Sequence, residues 1–213
     1  MILLVDKPKW FTSFGVIKKL KRIYMWEKIW HAGTLDPMAT GILVIWIWKG
    51  TKKLHHLQGL DKSYTAHIDF SKLTDTWDMD YWDKYEEFDI ENNKLLKDAK
   101  KISFPKIEEI IEKLDSIVWT TRMPLPAFSA KKVKGKKLYD LARKWTDLKL
   151  ERDMKINWYH IISYEFPILK VELNVGSGTY IRSIAYWLGK ELGVGGALCY
   201  LRRTKVGGFN LGF

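Results

Sequence analysis

The stretch His31-Ala-Gly-Thr-Leu-Asp-Pro-Met-Ala-Thr-Gly41, running on into Ile42-Leu-Val-Ile45, decides how this chain reads. The uninterrupted apolar run at its end is typical of a buried strand, and the Gly-, Thr- and Pro-rich segment before it is a loop feeding that strand. One carboxylate, Asp36, therefore sits among small residues at the lip of an apolar strand. Catalytic side chains tend to occupy such places. Asp-Pro also starts turns, and Gly and Thr fill them, so spacing alone leaves a plain turn open as the alternative.

Working outward, Ile2 to Val5 reads as a short strand, and Thr12-Ser13 offers an N-cap for a helix through Val16, Ile17 and Leu20. Lys52 to Leu57 suggests a short helix. Lys62 to Phe70 alternates, with Tyr64, Ala66, Ile68 and Phe70 on one strand face and Ser63, Thr65, His67 and Asp69 on the other. The polar stretch from Thr74 to Lys101 is expected to hold loops and an insertion. Pro105 opens a helix with apolar Ile107, Ile110, Ile111 and Leu114, and Leu138 to Ala142 suggests another. Strands are expected within Leu148 to Val175. A helix over Thr179 to Leu192 has Ile181, Ile184, Ala185 and Leu188 as its inner face, and Ala197 to Val206 closes as a strand. With no internal repeat in view, the chain reads as one α+β domain over residues 1–213, a mixed and largely antiparallel sheet flanked by helices.

With 213 residues, 46% of them hydrophobic, the chain can bury a core of its own. Its 36 Lys and Arg against 25 Asp and Glu give a formal charge of +11, which suits a polyanionic partner, nucleic acid before a membrane face. No run of about 18 apolar residues is present to span a bilayer, and the start turns charged at Asp6, too early for a signal peptide. A cytoplasmic protein is expected. Cys199 is the only cysteine, so no internal disulfide and no Cys-cluster zinc site can form. The histidines at 31, 55, 56, 67 and 160 show no metal-binding spacing, so no metal is expected. Thr74-Asp-Thr-Trp-Asp-Met-Asp80 hints at a calcium loop. Counted from Asp78, however, the places that require Gly and Glu hold Asp83 and Asp89, and calcium is rejected.

Three further segments bear on function. Gly176-Ser-Gly-Thr-Tyr-Ile-Arg182 puts Arg182 on the first turn of a helix after a glycine-rich turn, without the full phosphate-loop pattern. As a fixed cation Arg182 can hold a nearby carboxylate ionised and aligned; the plain alternative is a solvent-exposed arginine. Ser129 to Lys137 carries five lysines in seven residues, Lys131, Lys132, Lys134, Lys136 and Lys137. These suit a groove that follows a phosphate backbone, though a solvated face looks the same. Tyr64 is the candidate base stacker, or else a core aromatic.

In order, the chain contains Asp6-Lys-Pro-Lys, Thr12-Ser13, the His31 to Gly41 loop, Lys62-Ser-Tyr64 and Pro126-Ala-Phe-Ser-Ala-Lys131. It continues with Gly135, Tyr139 and Ala142-Arg143, then Gly178-Thr-Tyr-Ile-Arg182 and Leu201-Arg-Arg-Thr204. This succession, spanning Asp6 to Gly207, resembles the TruB-type pseudouridine synthases that act on the T loop of transfer RNA. The resemblance implies the pseudouridine synthase fold and a cofactor-free isomerase that forms the pseudouridine at position 55. It also implies that Asp36 is the nucleophile, that Arg182 orients it and that the extruded uracil stacks on Tyr64. His31 would lie against the flipped nucleotides, and Arg202 with the lysines at 131, 132, 134 and 136 would contact RNA. Flipping a uridine out of a folded loop costs a few kcal/mol, which a stacking pocket offsets. The expected partner is the T arm of transfer RNA, bound by a monomer with no obligate protein partner.

Two departures from that family stand out. The chain ends at Phe213, so the small C-terminal RNA-binding PUA domain of many relatives is not expected, which argues against a guide-RNA-dependent subunit. An RNA chaperone without chemistry is disfavoured by the intact Asp36 and Arg182. The second departure concerns tryptophan, which at 11 residues exceeds both the 10 Tyr and the 9 Phe. Trp10, Trp30, Trp48, Trp82, Trp119 and Trp145 stand where members of the family generally have glycine. Several are therefore expected to be glycine in the natural protein, from UGA codons read as glycine, with indoles that are exposed, strained or crowding the RNA cleft.

Overall fold

The computed structural model describes residues 1–25, 27–47, 51–79, 104–126, 132–133, 136–137 and 150–212, with backbone alone at 51–54, 132–133 and 136–137. The expected helix at Leu138 to Ala142, the Pro126 to Lys131 motif apart from Pro126 itself, residues 80–101 of the expected insertion, and Trp48, Trp82 and Trp145 lie outside the described residues.

Ten strands and four helices are described: β1 (Ile2–Lys7), α1 (Ser13–Lys21), β2 (Ile29–His31), β3 (Thr40–Ile47), α2 (Thr51–Gly59), β4 (Lys62–Asp69) and α3 (Ile107–Ser116). After these come β5 (Trp119–Pro124), β6 (Lys132–Val133), β7 (Lys136–Lys137), β8 (Glu151–Glu165), β9 (Ile168–Val175), α4 (Ile181–Glu191) and β10 (Ala197–Val206). Eight strands form one sheet in the order β1-β3-β10-β4-β9-β8-β5, with β2 also on β3; β6 and β7 pair separately. Every pairing is antiparallel except β3 with β10, so the expected α+β class and largely antiparallel sheet are what the chain adopts.

β3 shows why its sequence reads as an unbroken apolar run: both faces are covered. Leu43, Ile45 and Ile47 pack with Val16 and Ile17 of α1, while Ile42 and Val44 pack with Leu57 of α2 and Val206 of β10. Beyond β10 the sheet is covered by α3 and α4. Ile110 and Leu114, with Ile184, Ala185 and Leu188, close over Ala66, Ile68, Leu169 and Val171. Each fully buried Ile, Leu or Val among them contributes about 1.5–3 kcal/mol. Ile111, expected on the inner stripe of α3, is exposed; Ile110 and Leu114, four apart, form the contact line and Ile111 lies one step round the helix.

Thr12 caps α1 as expected, its Oγ1 accepting from the Gly15 N–H at 2.9 Å. β5 is an element the sequence did not announce. It pairs β8 at the edge of the sheet, and only Met123 of its six residues is buried, so the apolar signal is weak. Gly41, where β3 meets β10, has φ 100°, and a Cβ there would collide with the backbone of Arg203. Only glycine permits that approach. Among the described residues, the non-glycine residues at positive φ are all tryptophans, Trp10, Trp77 and Trp119. No helix among the described residues is long and apolar enough to cross a membrane.

Candidate active site

The loop between β2 and β3 is held in place from below by the first strand and helix. Lys7, fully buried, donates from Nζ to the carbonyls of Pro8, Phe11 and Pro37 at 3.0, 2.6 and 3.1 Å. Ser13 clamps Leu35 at two points: its Oγ accepts from the Leu35 N–H at 2.9 Å and lies 3.2 Å from the Leu35 carbonyl as donor. The Trp10 N–H donates to the Pro37 carbonyl at 2.8 Å, and the Ala39 N–H closes a turn on the Asp36 carbonyl at 3.1 Å. Leu35 and Met38, both buried, anchor the loop on either side of Asp36. The early motifs Asp6-Lys-Pro-Lys and Thr12-Ser13 thus have a physical purpose: they fix the backbone that presents the carboxylate.

Asp36 opens into a cleft of about 540 Å³ lined also by His31, Tyr64, Gly176 to Arg182, Leu201 and Arg203. Arg182 reaches the carboxylate from the first turn of α4. Its Nη2 donates to Oδ1 at 3.1 Å, and Nε lies 3.0 Å from Oδ2 as an ion pair. Behind it, Arg182 Nη1 donates to the Thr76 carbonyl at 3.0 Å and lies 3.4 Å from Oδ2 of Asp78. Asp78 is itself buried and accepts from Thr76 Oγ1 at 2.7 Å. A buried guanidinium between two carboxylates, one deep and one facing the cleft, is pinned in position and charge-compensated. The solvent-exposed alternative for Arg182 is excluded by its 3% exposure.

A family model described as TruB family pseudouridylate synthase, N-terminal domain, matches residues 21–181. The chain belongs to the TruB family. Proteins named tRNA pseudouridine synthase B are similar over almost all of it. That of Chlamydia pneumoniae is 40% identical over 213 residues, 99% of this chain and 84% of the relative. That of Fusobacterium nucleatum is 35% identical over 211 residues, 99% of this chain and 69% of the relative. Among solved structures, a chain of a Cbf5-Nop10-Gar1 complex superposes with TM-score 0.70 at 24% identity, over 99% of this chain and 50% of that one. The pseudouridine synthase fold is therefore this chain's fold.

Within the TruB-type cleft, Asp36, Arg182, Tyr64 and His31 come together, as the sequence led one to expect. Tyr64 is 8% exposed, belongs to the core and also lines the cleft. Burial and the charge of Arg203 hold the His31 imidazole below its usual pKa, which favours the neutral ring. Arg202 stands elsewhere: it forks onto Asp6, with Nη1 to Oδ1 at 3.1 Å and Nη2 to Oδ2 at 2.8 Å. Its neighbour Arg203 points into the cleft instead. Lys131 and Lys134 lie outside the described residues, and Lys132 and Lys136 are described only as backbone of the β6–β7 ladder.

The sequence reading missed Lys7, Lys62, Asp78 and Arg203. Thr74 to Met79 is a loop, as expected, but one that also backs the site, with Asp78 bridged to Leu198 of β10. The clue was present in Thr74-Asp-Thr-Trp-Asp78, whose clustered carboxylates were weighed only against a calcium loop. Among the described residues, no group of His, Cys, Asp and Glu gathers as metal ligands would.

Proposed function

We propose that this chain isomerises uridine to pseudouridine in transfer RNA, at position 55 of the T loop. The uridine is flipped out of the loop into the cleft and its base packs against Tyr64, while Asp36, oriented by Arg182, acts as nucleophile. The N1–C1′ bond breaks, the base turns, a C5–C1′ bond forms, and the proton leaving C5 is balanced by one gained at N1. The net reaction consumes nothing, so it calls for no redox group or energy source. The observation that carries this reading is the Arg182–Asp36 pair at the mouth of a cleft floored by an aromatic ring. The names of the relatives in Chlamydia and Fusobacterium support the substrate. On this reading the protein works in the cytoplasm as a monomer, on the T arm and without an obligate protein partner.

Incubation with unmodified transfer RNA followed by carbodiimide mapping tests it. A single new stop at position 55 is expected; no stop in the T loop overturns the reading.

A further inference from the structure

Two cations besides Arg182 line the cleft, and both lie beside Gly33. Lys62 at the start of β4 is 6% exposed and Arg203 on β10 is 1% exposed, and both line the cleft. Buried cations ordinarily come with a carboxylate. Among the described residues, no carboxylate lies within ion-pair distance of either. Their protein contacts are to carbonyls: Arg203 donates from Nε to Ile42 at 2.8 Å and from Nη2 to Gly33 at 3.2 Å, and Lys62 donates to Gln58 and Leu60. Carbonyls satisfy N–H groups without neutralising charge. Arg203 Nη1 donates to no protein group among the described residues, and it faces Gly33.

Gly33 keeps this corner open. At φ 117° it carries no side chain where a Cβ would sit 3.6 Å from Arg203 Nη1 and 3.9 Å from Lys62 Cε. The placement also suits a nucleotide. Lys62 lies two residues before Tyr64 on the same strand face, roughly 7 Å away, and Arg203 is the direct cross-strand partner of Tyr64. We propose that Lys62 and Arg203, opened by Gly33, form an anion subsite that takes the backbone phosphate next to the flipped uridine. This rests on the function proposed above. The two cations work against each other: burial and the Arg203 charge push the Lys62 ammonium down to about 8, with Asp61 opposing. A phosphate between them removes that repulsion.

The test measures binding of a T-arm hairpin with an unmodified target uridine, and of the same hairpin with single neutral methylphosphonate linkages on either side of it. Lys62→Met should weaken binding about tenfold and lower the slope of log affinity against log salt by about one. One neutral linkage should weaken wild type by more than Lys62→Met does, and should cost less in Lys62→Met than in wild type, since only the Arg203 contact is then left to lose. Wild-type affinity should also fall as pH rises through about 8, as Lys62 loses its proton, with Arg203 and Asp61 as the neighbouring charges and the His31 ring, lining the same cleft, neutral in that range. An unchanged salt slope, or linkage effects equal in wild type and variant, overturns the proposal. If Lys62→Met does not fold, the linkage scan on wild type decides, and the absence of a sensitive linkage is then the overturning result. Conversion of the all-phosphate hairpin by wild type is scored separately. Its failure defeats the proposed function, whereas conversion without a sensitive linkage defeats only the subsite.

Backbone geometry carries a second inference independently. Trp10 has φ 68° and Trp119 φ 84°, while their side chains are 55% and 70% exposed. A bulky residue in that region is strained, and exposed indoles recover little of that strain, Trp10 having Lys9 Nζ 4.9 Å from its ring centroid. What the fold uses at position 10 is the backbone, whose N–H holds the Pro37 carbonyl beside Asp36. Trp77, at φ 60°, differs because its ring stacks on Tyr186 with centroids 4.3 Å apart. We infer that positions 10 and 119 are glycine in the protein the organism makes, their codons being UGA read as glycine. UGA codons at both positions are expected, and UGG at either overturns the inference for that position. Trp10→Gly and Trp119→Gly should each lower the unfolding constant about five- to tenfold in urea titrations; no gain, or a loss, counts against it.

Discussion

Arg182 holds Asp36 across 146 positions of sequence, and the two ends of that contact are unequally buried: 4% side-chain exposure for the arginine, 32% for the aspartate. The cation belongs to the interior and the carboxylate to the cleft. That asymmetry fits a group whose free face meets substrate while its back is fixed. Asp36→Asn removes the negative charge and leaves the side chain's shape. Turnover should fall below detection, while transfer RNA binding stays within a few-fold, because no phosphate contact is lost. Pseudouridine formation near the wild-type rate would remove Asp36 from its assigned role.

Asp78 is the deeper partner, and its removal should be felt first in stability. Asp78→Ala leaves the Arg182 guanidinium short of one buried counter-charge, at a cost of about 3 kcal/mol in urea unfolding. With Arg182 less firmly held, turnover of the folded fraction should drop while RNA binding changes little. An unfolding midpoint equal to wild type would show that the contact is dispensable.

The lysine run gives a prediction about long-range attraction. Replacing Lys132, Lys134 and Lys136 together should flatten the dependence of log affinity on log salt by roughly two to three units if each meets a phosphate. An unaltered slope makes this run an ordinary solvated face.

His31 sets an acid limit on the fold. Its folded pKa lies below the unfolded value of about 6.5, so its contribution is intact above that pH and is lost as pH falls from there through the folded value. Urea midpoints measured from pH 8 down to pH 5 should fall less steeply for His31→Asn, which cannot titrate. Equal slopes would mean that burial and Arg203 do not set the charge on this ring.

Elements with strong periodicity were readable from the chain alone. The inner face Ile181, Ile184, Ala185 and Leu188 of α4 and the span Ala197–Val206 of β10 match the sequence reading residue for residue. Local turn patterns singled out Asp36 and Arg182 without deciding between a site and a plain turn or surface arginine; the family resemblance paired them, and the structure brings them into contact. Lys7, Lys62 and Arg203 were not singled out, because a buried cation and a solvated one look alike in sequence until the fold turns carbonyls toward them, near in sequence for Lys62 and distant for Arg203. The choice between Arg202 and Arg203 turns on strand alternation. Adjacent residues face opposite ways, and the register near them shifts between Arg203 and Lys205, which no local pattern announces. β5 was hidden by its edge position and its largely exposed side chains.

The place of β10 bears on how the chain is made. It is the last of the described strands in sequence, yet it lies between β3 and β4, joining the N-terminal hairpin to the rest of the sheet and supplying Leu201 and Arg203 to the cleft. Until a ribosome has released residues 197–206, β3 and β4 each present an unpaired edge, and the two halves share no ladder. Contacts of such sequence separation are slow to form, and open edges invite wrong pairing. Removing β10 should therefore abolish the fold as a whole, and nascent chains halted before it should remain sensitive to protease and ready to bind chaperones.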